Sequence, residues 1–317
     1  MKNDISKLVT FFFFSFISFS IFFIQPSFSS DPTDKECSVN YASLVFEDKT
    51  GYIIFENRAY EYRYPASLTK LMTIYLTFEA LKNKKIHLKQ ELVATDRDED
   101  ISNVNKVLTL GLKRGDKIIV EEAIKGVLVK SFNEAAVILA EAVAGSEWKF
   151  IELMNKKAKK FGMKYTNFRN STGLPDSGQF TTNYDLARMV MAIRHDFPEY
   201  YHFFADKEVT INNVKYKTHN NILLEYKGAE GMKTGFTNAA GYNLIAVAAR
   251  GKHRVISILT SCVSSGKRDE FTKELLDYGF EVLSRKHDEI KIITNQKELE
   301  DKETENAGLN KLIENYN

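Results

Sequence analysis

The alternation of apolar and polar positions sorts the chain into two kinds of segment. Tyr41–Phe46 and Tyr52–Glu56 are short β-branched and aromatic runs. Glu47-Asp48-Lys49-Thr50-Gly51 lies between them, so the pattern predicts a hairpin. From Ala66 the apolar residues Leu68, Leu71, Met72, Tyr75 and Leu76 recur at three and four, which predicts a helix to about Lys82. Pro65 has a fixed φ and no N–H to donate, and suits its entry. Residues 86–120 look irregular, with short strands expected at Glu91–Val93 and Lys106–Leu110 and a turn at Lys113–Asp116. Val120–Val129 is helical in pattern, Ser131-Phe132-Asn133 interrupts it, and Asn133–Ala144 resumes as a helix closed near Gly145.

Trp148–Phe161 is amphipathic, with Phe150, Ile151, Met154 and Ala158 inward. Its lysines Lys156, Lys157, Lys159 and Lys160 form a solvated face. Phe168–Gly178 is a polar loop, after which Thr181/Thr182 cap a helix through Tyr184–His195. His202–Tyr216 is expected to be a hairpin of short strands. Gly228–Gly235 leads into a strand, Gly241–Arg250 and Arg254–Cys262 follow as two more, and Lys267–Leu283 is a final helix. Strands thus come as a pair early and a trio late, with helices between. That is no βαβ rhythm. It predicts a mixed α/β fold, in which one five-stranded antiparallel sheet is built from both ends of the chain, flanked by helices and carrying a helical insertion.

Composition changes this picture only at the ends. Nine of the 23 Phe lie between Phe11 and Phe28, so the aromatic count overstates the core. Lys2 and Lys7 precede an apolar run from Leu8 to Ile24, and Ser27 and Ser29 fit a small-x-small cleavage rule. Residues 1–29 are therefore expected to be a signal peptide; the alternative is an uncleaved anchor, since about 17 residues is at the short limit for spanning. Either way the body, residues 30–284, is expected to lie outside the cytosol. From Arg285 to Asn317 the chain is a charged tail with six Lys/Arg and eight Asp/Glu. A formal net charge of +2, mixed and not striped, gives no sign of a nucleic-acid partner.

Candidate chemistry begins at the first helix. Ser67 and Lys70 are three apart and share one face of its first turn. A hydroxyl is a poor nucleophile until a base takes its proton, and a neutralised Lys70 is placed to do so. Ser-x-x-Lys recurs at Ser146/Lys149 and Ser264/Lys267, so the spacing alone decides nothing. Two further signals, Ser131-x-Asn133 and Lys233-Thr234-Gly235, also have counterparts, at Ser38/Asn40 and Lys49-Thr50-Gly51. Order separates them. Only Ser67/Lys70, then Ser131/Asn133, then Lys233–Gly235 occur in the sequence followed by serine enzymes that react with penicillin. The six His (His87, His195, His202, His219, His253, His287) are scattered, so no metal site is expected. No phosphate loop and no Gly-x-Ser-x-Gly elbow is present, and no cofactor is expected.

From about Ala42 to Phe280 the chain resembles the low-molecular-mass penicillin-binding proteins, the serine D-alanyl-D-alanine carboxypeptidases. The likeness includes Pro65-Ala66-Ser67-Leu68-Thr69-Lys70, Gly173-Leu174-Pro175-Asp176 and Thr181-Thr182-Asn183-Tyr184-Asp185. It continues in Gly231-Met232-Lys233-Thr234-Gly235-Phe236-Thr237, Ala239-Ala240-Gly241-Tyr242 and Tyr278-Gly279-Phe280. The resemblance implies a DD-peptidase/β-lactamase-like fold, a peptidoglycan stem peptide as substrate and β-lactams as covalent inhibitors. It implies that Ser67 attacks the penultimate D-Ala carbonyl while Lys70 takes the proton. Ser131 would relay a proton to the leaving nitrogen, and Asn133 would orient the substrate amide. Lys233 and Thr234 would hold the terminal carboxylate, and the strand after Gly235 would pair with the substrate. The Ser67 and Phe236 N–H groups would form the oxyanion hole. Arg268 aligns with an arginine near the substrate carboxylate; a helix-start ion pair is its other reading.

Two departures stand out. Phe132 replaces the small middle residue of Ser-x-Asn and is expected to limit access, unless its ring packs behind the cleft. The family's C-terminal β-rich domain and basic amphipathic anchor have no counterpart in the tail. A D,D-endopeptidase with the same residues, and a non-catalytic peptidoglycan-binding relic, remain alternatives. A class A β-lactamase is disfavoured, because no Asp or Glu lies between Phe161 and Leu174. In the implied fold the first strand lies antiparallel beside the last. If Cys37 opposes Cys262, then Phe46 opposes His253, and the two thiols are within bridging range; the alternative is two free thiols.

Overall fold

The computed structural model describes residues 37–38, 40–104 and 108–285. The expected signal peptide, residues 1–29, and the tail beyond Arg285 lie outside these. In chain order the elements are β1 (Ala42–Glu47), β2 (Ile53–Asn57), α1 (Lys70–Lys82), β3 (Glu91–Val93), α2 (Asp96–Val104) and β4 (Lys117–Ile119). Then come α3 (Val120–Lys125), α4 (Asn133–Ala144), α5 (Glu147–Lys160), α6 (Asn183–Asp196), β5 (Glu208–Ile211) and β6 (Val214–Lys217). The last are α7 (Asn221–Glu225), β7 (Ala229–Thr237), β8 (Gly241–Arg250), β9 (His253–Cys262) and α8 (Ser265–Arg285).

The five-stranded sheet has the order β2-β1-β9-β8-β7, and every pairing is antiparallel. Side chains alternate across it, so period-two patterning splits the interior in two. Leu44, Phe46, Ile245, Val247, Ile256 and Ile258 face the helical side. Val45, Leu244, Ala246, Val255 and Leu259 face α8, which covers them with Phe271, Leu275 and Leu276. β1 is buried at all six positions because it lies between β2 and β9 and is covered on both faces. α1 is buried almost all round and packs on α4, α5 and α6, as an all-apolar helix must.

Several expectations need correction. The stretch taken as irregular contains α2, an acidic helix with little apolar period to announce it. β3 forms as expected and pairs with β4, but the second strand expected, at Lys106–Leu110, is not among the described strands. Of that segment, residues 106–107 lie outside the description, and Leu108–Leu110 form no strand. Their backbone is instead tied to Glu134, which accepts from Leu110 N and from Gly111 N. The helix expected over Val120–Val129 is α3 followed by a wider π-type turn at Gly126–Lys130. The hairpin expected over His202–Tyr216 is β5–β6 alone, preceded by a 3₁₀ turn at Tyr201–Ala205.

Cys37 and Cys262 are bridged, with their Cα atoms 5.1 Å apart. The bridge spans 225 residues, worth roughly 5 kcal/mol in the chain-entropy picture. The expected register does not hold, however. Phe46 faces Ile256, not His253, and Ala42 faces Thr260. Cys37 precedes Ala42 by five positions while Cys262 follows Thr260 by two, so three residues are taken up outside the ladder. A turn at Asn40 absorbs them, while Val263 N still bonds to the Cys37 carbonyl.

Candidate active site

Ser67 sits in a 3₁₀ turn, Ala66–Thr69, that leads into α1. Ala66 has φ of 48°, a left-handed conformation that a residue with a side chain adopts only when its surroundings impose it. Those surroundings can be named. Asn243 on β8 donates to the carbonyls of Tyr64 (3.0 Å) and Pro65 (3.3 Å), fixing the approach to the sheet. On the other side Gly173 has φ of 83°, and a Cβ there would stand 1.9 Å from the Ala66 oxygen. Only glycine allows the 168–178 loop so close to the nucleophile. β7, an edge strand, passes on the third side: a Cβ on Gly235 would lie 3.2 Å from Ser67 N.

Lys70 is fully buried, and its Nζ lies within hydrogen-bonding distance of three oxygens: Ser67 Oγ (3.2 Å), Asn133 Oδ1 (2.8 Å) and the Thr172 carbonyl. Burial, then the charge of Lys233, hold its ammonium well below the ordinary lysine range, while Glu134 pulls the other way. A neutral amine has two N–H groups and one lone pair. The amide oxygen of Asn133 and the Thr172 carbonyl can only accept, so they take both N–H groups. The lone pair is left facing the Ser67 hydroxyl.

Ser131 stands at the break between the π-type turn and α4, with φ of 66°. Its Oγ accepts from Lys233 Nζ at 3.0 Å, and Lys233 also donates to the Thr234 carbonyl at 2.9 Å. Burial first and Arg268 second push the Lys233 ammonium down to about 7. Asn133 begins α4, and its buried Nδ2 has no partner among the described residues. Thr234 is half-buried beside Lys233, and Phe236 is exposed over Tyr242, ring centroids 4.2 Å apart. A groove of about 200 Å³ lies beside the turn that carries the nucleophile, lined by Tyr64, Ala66, Leu174 and Thr237 among others. A larger cavity of about 540 Å³, beside α1 and α5, holds none of these groups.

Ser67, Lys70, Ser131, Asn133, Lys233, Thr234 and Gly235 are thus drawn to one cleft. Arg268 is a different case. Its guanidinium is buried and spends two donors on Asp269, at 2.8 and 2.7 Å, so the helix-start pair is what forms, although its charge reaches Lys233. Phe132 does not narrow the cleft. Its ring is 1% exposed and meets Tyr216 of β6 edge-on, so the bulky middle residue points behind the site into the core.

Motif reading missed the supports. Glu147 accepts from Ser171 N (3.1 Å) and Oγ (2.7 Å), and its other oxygen takes Arg97. Thr73 of α1 donates to the Ser171 carbonyl at 2.7 Å. These bonds set the loop that presents the Thr172 carbonyl to Lys70. In sequence Glu147 is an ordinary acid at a helix start. Glu134 had a better signal, a carboxylate set directly before the apolar run Ala135–Ala140 of α4.

Known proteins are similar to this chain in sequence and in fold. D-alanyl-D-alanine carboxypeptidase DacC of Escherichia coli is 37% identical over 269 residues, 83% of this chain and 67% of that protein. The chain spans about two thirds or less of the length of the curated relatives it matches first. Penicillin binding protein 5 of Haemophilus influenzae superposes with a TM-score of 0.73 at 34% identity, covering 76% of this chain and 70% of that one. Penicillin-Binding Protein D2 of Listeria monocytogenes, in its ampicillin-bound form, gives 0.67 at 31% identity, covering 75% and 96%. The family model for D-alanyl-D-alanine carboxypeptidase matches residues 31–262 and so takes in every group of the cleft, while Arg268 lies outside the match. On that breadth, the chain belongs to the D-alanyl-D-alanine carboxypeptidase family.

Proposed function

We propose that this protein is a serine-type D-Ala-D-Ala carboxypeptidase that removes the terminal D-Ala from peptidoglycan stem peptides through an acyl-enzyme on Ser67. The observation that carries this reading is the donor set of Lys70: both N–H groups of the neutral amine are occupied, and its lone pair faces Ser67 Oγ. Ser67 attacks the carbonyl of the penultimate D-Ala as Lys70 takes its proton. The Ser67 and Phe236 N–H groups stabilise the oxyanion, each such donor being worth roughly 3 kcal/mol. Lys233 and Ser131, already bonded, pass a proton to the leaving nitrogen, and the unpartnered Nδ2 of Asn133 donates to the substrate amide. Lys233, Thr234 and the charge of Arg268 receive the terminal carboxylate. The open edge of β7 pairs with the extended peptide. Water then cleaves the ester.

The same chemistry makes Ser67 the target of β-lactams, as the ampicillin-bound relative supports. We place the enzyme outside the cytoplasmic membrane; the charged and apolar pattern of residues 1–29 and the Cys37–Cys262 bridge support this. Two measurements test the function: fluorescent-penicillin labelling, and product analysis on a stem pentapeptide beside a cross-linked stem dimer. Labelling of Ser67 with release of D-Ala from the pentapeptide is the expected result. Cleavage of the dimer alone would make the enzyme a D,D-endopeptidase, and absence of label and product together would leave a binding relic.

A further inference from the structure

Beside Ser131 the cleft gathers more positive charge than one terminal carboxylate uses. Lys130 immediately precedes Ser131, and its Nζ lies 2.6 Å from His219 Nε2. His219 is exposed and precedes Asn220, the residue that caps α7. It is near enough to Lys233 and Arg268 to feel both charges. Acids are scarce around this group. Asp269 is committed to Arg268 and to Asn221, which donates to it at 2.9 Å. Among the described residues no carboxylate pairs with Lys130, His219 or Lys233.

The bond between Lys130 and His219 fixes their roles. An ammonium only donates, so His219 Nε2 accepts and the ring proton stays on Nδ1. Partial burial, and then Lys130, Lys233 and Arg268, push the imidazole down to about 4, so the ring is uncharged at neutral pH. Two ammonium N–H groups and Nδ1–H remain for a ligand. Lys233 and Ser131 are the groups assigned above to the leaving residue; Lys130 adjoins Ser131 in the chain and His219 is within reach of the Lys233 charge, which puts the pair on that side of the reacting bond.

We propose that Lys130 and His219 form a second anion subsite on the leaving-group side of the cleft, selecting D,D-peptides whose leaving residue carries a second carboxylate. The proposal rests on the carboxypeptidase reading and deepens it: a D-Ala leaving group has one carboxylate, and the preferred class has two.

The test uses the purified protein with three acyl-D-alanyl peptides ending in D-Ala, D-Glu or D-Gln. D-Glu and D-Gln match in shape and differ by one charge, so the ratio of their kcat/KM values isolates the subsite. The expected ratio is about fivefold in favour of D-Glu, the size of one partly exposed charge contact. Lys130→Gln should bring the ratio to about one, Lys130→Glu should invert it, and His219→Asn should reduce it. The ratio is read within each variant, so a general loss of folded protein cancels. A wild-type ratio near one, or a ratio that survives both Lys130→Gln and His219→Asn, overturns the subsite. If the D-Ala peptide is not cleaved and penicillin does not label Ser67, the underlying reading fails instead.

Discussion

At the start of α5, Ser146 turns its Oγ to the backbone N–H of Lys149 at 3.3 Å, while the Lys149 side chain stands in solvent. Ser264 does the same for Lys267 N at 3.2 Å, beside the start of α8. At the start of α1 the spacing is identical, but the Lys70 ammonium meets Ser67 Oγ, and both groups are buried. In the first two, Ser-x-x-Lys is a helix cap satisfying an orphan N–H. In the third, Pro65 has taken the cap position and makes no side-chain cap bond, so the serine is released for chemistry. The other motifs have counterparts of the same kind. Ser38 Oγ accepts from Asn40 N in a local turn, and Thr50 bonds to Glu47 in the β1–β2 hairpin. A short motif becomes a site when burial removes its local partners and distant elements supply new ones.

The strongest way to break this contrast is to remove each serine in turn. Ser67→Ala should cut penicillin acylation by at least about 10⁴-fold with the fold intact, and Lys70→Ala should nearly match it, since groups acting as a unit fail together. Ser146→Ala should leave labelling unchanged. Labelling retained in Ser67→Ala would sink the assignment.

Phe132→Ala comes next and separates core from cleft. It should lower unfolding stability by about 3–5 kcal/mol in denaturant titration. The acylation rates of bulky and small β-lactams should change in the same proportion, whereas faster acylation by bulky β-lactams alone would mean that the ring gates the cleft.

Glu147→Ala should slow acylation roughly 100-fold by letting the Thr172 carbonyl drift from Lys70. Glu147→Gln, which can still accept from Ser171, should recover most of the rate. Equal rates in wild type and Glu147→Ala would show that the loop holds itself.

The charge of Lys233 lowers the pKa of Lys70, so removing it must raise that pKa. In Lys233→Met the low-pH limb of the acylation profile should therefore move to higher pH, and in Lys233→Arg it should stay near its place. A limb unmoved in Lys233→Met would mean that burial alone neutralises Lys70. The smallest effect belongs to the caps: Ser146→Ala should cost about 1 kcal/mol in the same denaturant titration.

The sheet, its construction from both chain ends and the three motifs were legible because each has a local signature: period-two runs, turn residues and motif order. What was not legible depends on distant partners. α2 has few buried positions, so no period announces it. The direction of Phe132 depends on Tyr216, far along the chain, and the pairing of Arg268 on whether Asp269 or a ligand is nearer. The β1–β9 register is set by where six buried residues pack, and Asn40 absorbs the mismatch with the disulfide. The support from Glu147 is invisible in sequence because an acid after a cap serves an isolated helix equally well.

Ala42 and its neighbour Thr260 are 218 residues apart, and the strand facing Ser67 is made almost as late. A ribosome adding about 5–20 residues per second emits the nucleophile roughly 10 s or more before Gly235. During that interval the serine has no opposing wall, no Lys233 and no paired central strand. A product that stops before β7 lacks Lys233, Thr234 and the wall that Gly235 sets against Ser67. The cleft therefore closes only when the sheet does, and the last strands of the chain complete what its first helix begins.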